Sequence, residues 1–192
     1  MTPNFMAFNI ESKHLGGEVV VVKPTLFADN RGFFSMLFHK ETFGSLGLPT
    51  NFVQDNWSRS KKDVVRGLHF QWDPPMGKMM YVVRGKAFLV AVDIRKNSPT
   101  LGQHFSITIS SDDPRLLWAP AGFARGFCAL SDEVDLQYKC TGTYNPQCES
   151  AIRWNDPDIG IKWPVESPIM SDRDAAAQPL KAWLASPNSS HF

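Results

Sequence analysis

Met79-Met80-Tyr81-Val82-Val83-Arg84-Gly85-Lys86-Ala87-Phe88-Leu89-Val90-Ala91-Val92-Asp93-Ile94 sets two apolar, largely β-branched and aromatic runs either side of a short glycine-centred break. Side chains of this kind suit a pleated, half-buried surface better than a helix. The break Arg84-Gly85-Lys86 reads as a hairpin turn joining strands at Met79–Val83 and Ala87–Ile94. Outward from there the same signature recurs. Val19–Val22 is a β-branched run ended by Pro24. His104–Ile109 alternates, with Phe105, Ile107 and Ile109 on one side. Arg115–Trp118 leads into the turn Pro120-Ala121-Gly122, and Val134–Tyr138 puts Val134, Leu136 and Tyr138 on one face and Asp135 and Gln137 on the other.

Helical candidates are short. One is Lys40–Leu46, ended by Gly47 and Pro49; another is Ala175–Leu184, which Pro179 interrupts or opens. The polar stretch Ser186–Phe192 is expected to fray. Strand signals at a spacing of roughly 8–12 residues indicate an all-β sandwich or barrel. Fourteen prolines and thirteen glycines supply its turns. A cupin-type jelly roll (a double-stranded β-barrel) with a few short peripheral helices is the natural candidate, because its rolled sheets enclose a cavity.

The 192 residues fit one domain, residues 1–192, better than two. With 43% hydrophobic and 20% charged residues the chain can build a core. The formal charge of +1 provides no field for nucleic acid or a membrane surface, so an anionic ligand must be held by individual Arg and Lys side chains. Met1–Lys13 lacks the basic and apolar regions of an export signal, and no apolar run nears the ~20 residues of a membrane span. Cys128, Cys140 and Cys148 are an odd number without metal-type spacing. Packing or free thiols explain Cys140 and Cys148 better than a redox pair, and a reduced cytoplasmic setting is expected.

Val64-Val65-Arg66-Gly67-Leu68-His69-Phe70-Gln71 carries the first chemical signal. A lone strand histidine is most simply a satisfied core or edge residue, but His69 has Arg66 before it and Gly77-Lys78 after it. Strict alternation sets Arg66 and His69 on opposite faces; either Gly67 makes a bulge or the two serve different pockets. A metal-binding cupin presents a His-x-His pair and a further His beyond a Pro-x-Gly turn. Here those two positions hold Gln71 and Arg125, a poor ligand and a cation with no lone pair, so no metal is expected.

Twelve blocks in order resemble the dTDP-4-dehydrorhamnose 3,5-epimerase family, spanning about residues 27–180. Among them are Asp29-Asn30-Arg31-Gly32-Phe33-Phe34, Gln54-Asp55-Asn56, Arg66-Gly67-Leu68-His69, Gly77-Lys78, Gly122-Phe123-Ala124-Arg125-Gly126-Phe127, Tyr138-Lys139 and Ser171-Asp172-Arg173-Asp174. The resemblance implies a cofactor-independent enzyme that inverts C3 and C5 of a dTDP-linked 4-keto-6-deoxyhexose, and a homodimer paired through its sheets, with Val19–Val22 a candidate for exchange. Both carbons lie beside the ketone, so the reaction needs a base, an acid on the opposite face, and a group that stabilises the enolate.

By the same resemblance His69 is the base, Asp174 orients it, Tyr138 is the acid and Lys78 stabilises the charge on O4. Read alone, Asp174 is a helix N-cap, Tyr138 an amphipathic core residue and Lys78 a solvated loop residue. Arg31, Arg66 and Arg173 match contacts to the nucleotide diphosphate or nearby groups, where a planar fork suits phosphate oxygens. Gln54, Asn56 and Glu149 match polar ligand contacts, and Tyr144 matches an aromatic that stacks on the base. Two positions depart from the family: Arg125 stands where it usually has His, and Met36 where it usually has Glu. Arg125 rules out a second base and offers a fixed cation to sugar or pyrophosphate. A 3- or 5-monoepimerase, an enzyme for another nucleotide, a metal-dependent cupin and a non-catalytic sugar-binding cupin are the competing readings. Glutamine and arginine at the metal positions weigh against the third, and retention of His69, Tyr138 and Asp174 together weighs against the last.

Overall fold

The computed structural model describes residues 7–192, so the opening Met1–Met6 of the stretch judged for an export signal lies outside it. Thirteen strands and three short α-helices are present among the described residues. In chain order the strands are β1 Phe8–His14, β2 Val19–Pro24, β3 Leu26–Asp29, β4 Gly32–Ser35, β5 Gln54–Lys61, β6 Val65–Gln71, β7 Lys78–Arg84 and β8 Lys86–Asp93. They continue as β9 His104–Ser110, β10 Leu116–Ala119, β11 Phe123–Ala129, β12 Glu133–Cys140 and β13 Glu149–Ala151. The helices are α1 Lys40–Ser45, α2 Asp172–Ala175 and α3 Leu180–Ala185. No described helix is long and apolar enough to cross a membrane.

A six-stranded sheet ordered β1-β2-β10-β7-β12-β5 faces a five-stranded sheet ordered β13-β6-β11-β8-β9, and β3 with β4 forms a separate hairpin. This is a jelly-roll sandwich whose two sheets stay open at their edges. Between them lies a core of Val19, Val21, Met80, Val82, Leu117 and Leu136 against Leu89, Ala91, Ile109, Phe123 and Phe127. The outer faces are covered too. Val20, Val22, Met79 and Tyr81 pack on Phe43 of α1, while Leu68, Phe70, Val90 and Val92 lie under Ile152, Ile159, Leu180 and Trp183. Strands buried on both faces read as continuous apolar runs, which accounts for Val19–Val22 and Ala87–Val92.

The opening stretch is therefore not a hairpin. β7 pairs with β10 and β12, whereas β8 pairs with β11 and β9. Gly85, at φ +80°, carries the chain from one sheet to the other, and a Cβ there would lie 2.3 Å from the Glu133 carbonyl oxygen. One glycine between two apolar runs signals a reversal of direction but not the choice of partner strand. Val19–Val22 likewise lies within this chain's own sheet, between β1 and β10. The C-terminal helix is split: Pro179 precedes α3, and α2 is a separate turn capped by Ser171. Residues 186–192, expected to fray, instead form a 3-10 turn over Pro187–His191 that buries Ser189 and sets Phe192 6.1 Å from the Trp183 ring.

Candidate active site

Toward the β5 and β6 side of the sandwich the inter-sheet core gives way to a cavity of about 140 Å³. His69 and Arg66 reach it from β6, Arg125 from β11, Lys78 from β7 and Tyr138 from β12. Gly67 brings the two β6 residues together. Arg125 pairs with His69 and Phe127 with Arg66, so two steps along β11 span three along β6. The extra residue is a bulge, with Gly67 at φ +122°; it turns Arg66 and His69 to one cavity.

His69 Nε2 lies 2.5 Å from Asp174 Oδ1. A carboxylate only accepts, so Nε2 carries the hydrogen, and in the neutral imidazole Nδ1 keeps its lone pair. Asp174 is not the helix cap; Ser171 is, and its Oγ accepts from the Asp174 backbone N–H. Burial pushes the Asp174 carboxyl upward, but the His69 hydrogen bond and charge, with bonds from Gly67 and Ser171, hold it below the usual range.

The Lys78 ammonium sits 4.7 Å over the Tyr138 ring. Burial, and next the Arg125 charge, lower its pKa to about 8. Burial raises the Tyr138 phenol, so it stays protonated near neutrality. Arg125 is 3% exposed and burial pulls its pKa down to about 10. Its Nη1 donates to the carbonyls of Met76 at 2.8 Å and Pro120 at 3.0 Å. Among the described residues its Nε and Nη2 are the only buried side-chain N or O atoms without a hydrogen-bond partner. Gln71 is turned away from this chemistry: its amide donates to the carbonyls of Pro74 and Thr143 and accepts from the Asn145 N–H, tying down a loop.

A second cluster is formed by Tyr144, Glu149 and Arg173. The Tyr144 hydroxyl and the Arg173 guanidinium both donate to Glu149 Oε1, at 2.5 and 2.6 Å. Burial raises the Glu149 carboxyl, and these two donors with nearby positive charge bring it below its ordinary value. Gln54 on β5 accepts from the Tyr144 N–H and donates to Asn56, which donates to Cys140 Sγ. Arg31 stands apart on the β3–β4 hairpin, 85% exposed and paired with Asp29. Met36 packs against the apolar cluster around α1 and does not line the cavity. Sequence reasoning missed Ser58, Met80, Phe127 and Leu136 in the cavity wall and Ser171 behind Asp174. Ser58 was within reach, because it continues the inward face of Gln54 and Asn56 at a spacing of two.

A carboxylate-held imidazole, a half-buried phenol, a half-buried ammonium and a buried guanidinium around one small cavity in a jelly roll make up an acid–base site, suited to moving protons on a carbon acid. Comparison with known proteins carries this further. A sequence profile described as dTDP-4-dehydrorhamnose 3,5-epimerase matches residues 16–182. Enzymes of that name from Methanothermobacter thermautotrophicus and Salmonella typhimurium are 46% and 47% identical over 165 and 163 residues, covering 84% and 83% of this chain and 89% of each relative. The crystal structure of dTDP-6-deoxy-D-glucose-3,5-epimerase from Legionella pneumophila, in complex with dTDP-4-keto-L-rhamnose, superposes with a TM-score of 0.88 at 42% identity. It covers 92% of this chain and 96% of that one. The chain belongs to the dTDP-4-dehydrorhamnose 3,5-epimerase family, a family of carbohydrate isomerases.

Proposed function

We propose that this chain converts dTDP-4-dehydro-6-deoxy-D-glucose to dTDP-4-dehydro-L-rhamnose by cofactor-independent inversion of C3 and C5. The observation that carries this reading is the 2.5 Å His69–Asp174 bond at the wall of the cavity that Tyr138 and Lys78 also line. His69 removes the proton from the carbon beside the ketone. The C–H electron pair becomes the enolate double bond and the carbonyl pair moves onto O4, facing Lys78. Tyr138 delivers a proton from the other side, and the imidazolium and phenolate return to their starting forms by exchange with solvent. Arg66, Arg173, Gln54, Asn56, Tyr144 and Glu149 hold the nucleotide end; Arg66 lines the cavity and the other five form one hydrogen-bonded cluster.

A homodimer is part of the same proposal. The β3–β4 hairpin exposes Phe33 and Phe34, 60% and 65% accessible, beside a groove lined by Tyr81, Val83 and Arg115. A second copy would cover these rings, and Arg31 on the same hairpin would then meet a site only across the interface. Three free thiols fit a reducing cytoplasm.

Proton NMR of the dTDP-4-keto sugar with the protein in deuterated water tests the reaction. Deuterium at C3 and C5 with dTDP-4-dehydro-L-rhamnose as the product is expected. Exchange at one carbon makes the chain a monoepimerase, and no exchange at either rejects the reading.

A further inference from the structure

The guanidinium of Arg125 is half used. Nη1 is anchored by the carbonyls of Met76 and Pro120, with Ala119 at 3.4 Å, while Nε and Nη2 have no partner although the side chain is 3% exposed. Nε and Nη2 form one edge of the fork, the edge that grips two lone pairs side by side. An arginine serving only to tie loops together has no need to leave that edge empty, and buried donors without acceptors are rare enough to require a cause. The residue lines the cavity and is the direct cross-strand neighbour of His69. Side chains so paired are adjacent on one face of the sheet.

We propose that the free Nε/Nη2 edge of Arg125 is an oxyanion receptor for the keto oxygen of the sugar, a second cation beside Lys78 that holds the charge formed when His69 takes a proton. The inference rests on the reaction proposed above. The carbon that loses its proton to His69 is bonded to the keto carbon, so the keto oxygen lies within reach of the neighbouring side chain. The diphosphate is the poorer occupant. Arg125 is buried, whereas Arg173, paired with Glu149 in the other cluster, is 54% exposed and can meet a phosphate from solvent with the rest of its guanidinium. Two cations on one oxygen also divide the work by pH. Burial lowers the Lys78 pKa to about 8, whereas a guanidinium stays protonated throughout the working range, so a positive charge remains beside the keto oxygen where the lysine is partly neutral.

Arg125→Gln tests this, because the amide NH₂ can still bond the loop carbonyls but the charge and the fork are gone. The deuterium wash-in kcat at both carbons is expected to fall about 10²–10³-fold, with KM and dTDP affinity within twofold of wild type. Arg125→Lys is expected to recover at least about tenfold of that loss. A variant that exchanges at the wild-type rate, or one whose whole loss lies in KM, overturns the proposal; a wild-type protein that exchanges at neither carbon overturns the parent reaction instead. A measurement on unsubstituted protein covers the case in which the glutamine variant does not fold. In ¹⁵N-arginine-labelled enzyme, the Arg125 Nε–H resonance, assigned by its loss in Arg125→Lys, should move downfield with the dTDP-4-keto sugar and stay put with dTDP alone. Movement with dTDP alone would assign Arg125 to the phosphate and reject the oxyanion role.

Discussion

Lys78 should make the protein less stable than it needs to be, and replacing it with Met should show by how much. Folding carries its ammonium into the cavity and lowers its pKa from 10.5 to about 8. Each unit is worth about 1.4 kcal/mol, so holding the charged form in the folded state costs about 3 kcal/mol wherever both states are protonated. Met fills similar space without the charge but forgoes the contact with the Tyr138 ring, about 1 kcal/mol. Lys78→Met is thus expected to be about 2 kcal/mol more stable at pH 7, or about 4–8 °C in Tm for a chain of this size. The sign of the pH dependence follows from the lowered folded-state pKa. Below about 8 the penalty is complete. Between about 8 and 10.5 the unfolded chain binds more protons than the folded one, so wild-type stability rises with pH and the gap between the proteins closes. Urea denaturation of both proteins at pH 7 and at stepped values up to pH 10.5 measures this difference, with other titrating groups common to both. The variant should also lose epimerase activity. A Lys78→Met protein no more stable than wild type at pH 7, with a difference flat in pH, would show that the ammonium is solvated and that the reasoning is wrong.

Asp174→Asn removes a charged acceptor from His69, a bond worth about 1.5–3 kcal/mol, and should lower the exchange rate about 10–100-fold in the NMR assay; an unchanged rate would make Asp174 a mere helix residue. Tyr138→Phe should leave proton wash-out largely intact while product inversion collapses, because removal and delivery use opposite faces; trapping and assigning the product at fixed exchange extent distinguishes the two. Gly67→Ala places a methyl 2.6 Å from Gly126 Cα at φ +122°, so a loss of about 2–5 kcal/mol is expected by urea titration, and a loss below about 1 kcal/mol would mean the bulge relaxes readily.

The strands legible in the sequence were those whose apolar faces meet packed protein on one or both sides. β2, β8 and β9 read correctly for that reason, as did the inward set Val134, Leu136 and Tyr138 on β12. β5 did not, because its polarity is inverted. Gln54, Asn56, Ser58 and Ser60 turn inward, while Trp57 is 66% exposed. A strand that walls a polar cavity presents hydrophilic side chains to the interior, so a search for apolar alternation passes over it. β11, Phe123–Ala129, was hidden differently: every residue is buried, with Arg125 and Gly126 in its middle, and it shows no period at all. Pairing between distant strands was beyond reach as well, since Gly85 announces a turn without naming the sheet that follows. Residues around the cavity were legible as types, but Gly67 had to be seen in place before Arg66 and His69 could share a wall.

The same displacement that joins those two residues also explains why the site tolerates so much charge. A regular β6 would point one of the pair out of the sandwich and leave only the other beside Arg125 on the neighbouring strand. The bulge turns both side chains to the cavity that Lys78, Arg125 and Tyr138 also line, with Phe127, Leu136 and Met80 completing its wall. A buried guanidinium, a half-buried ammonium and no carboxylate among the cavity-lining residues leave a net positive interior that water screens less than it does the open surface. Such a cavity is unfavourable when empty and favourable when an anion forms inside it. A neutral ketone gains less from it than the enolate does, so the interaction strengthens as the proton leaves, which is the condition for lowering a barrier and not merely binding a ligand.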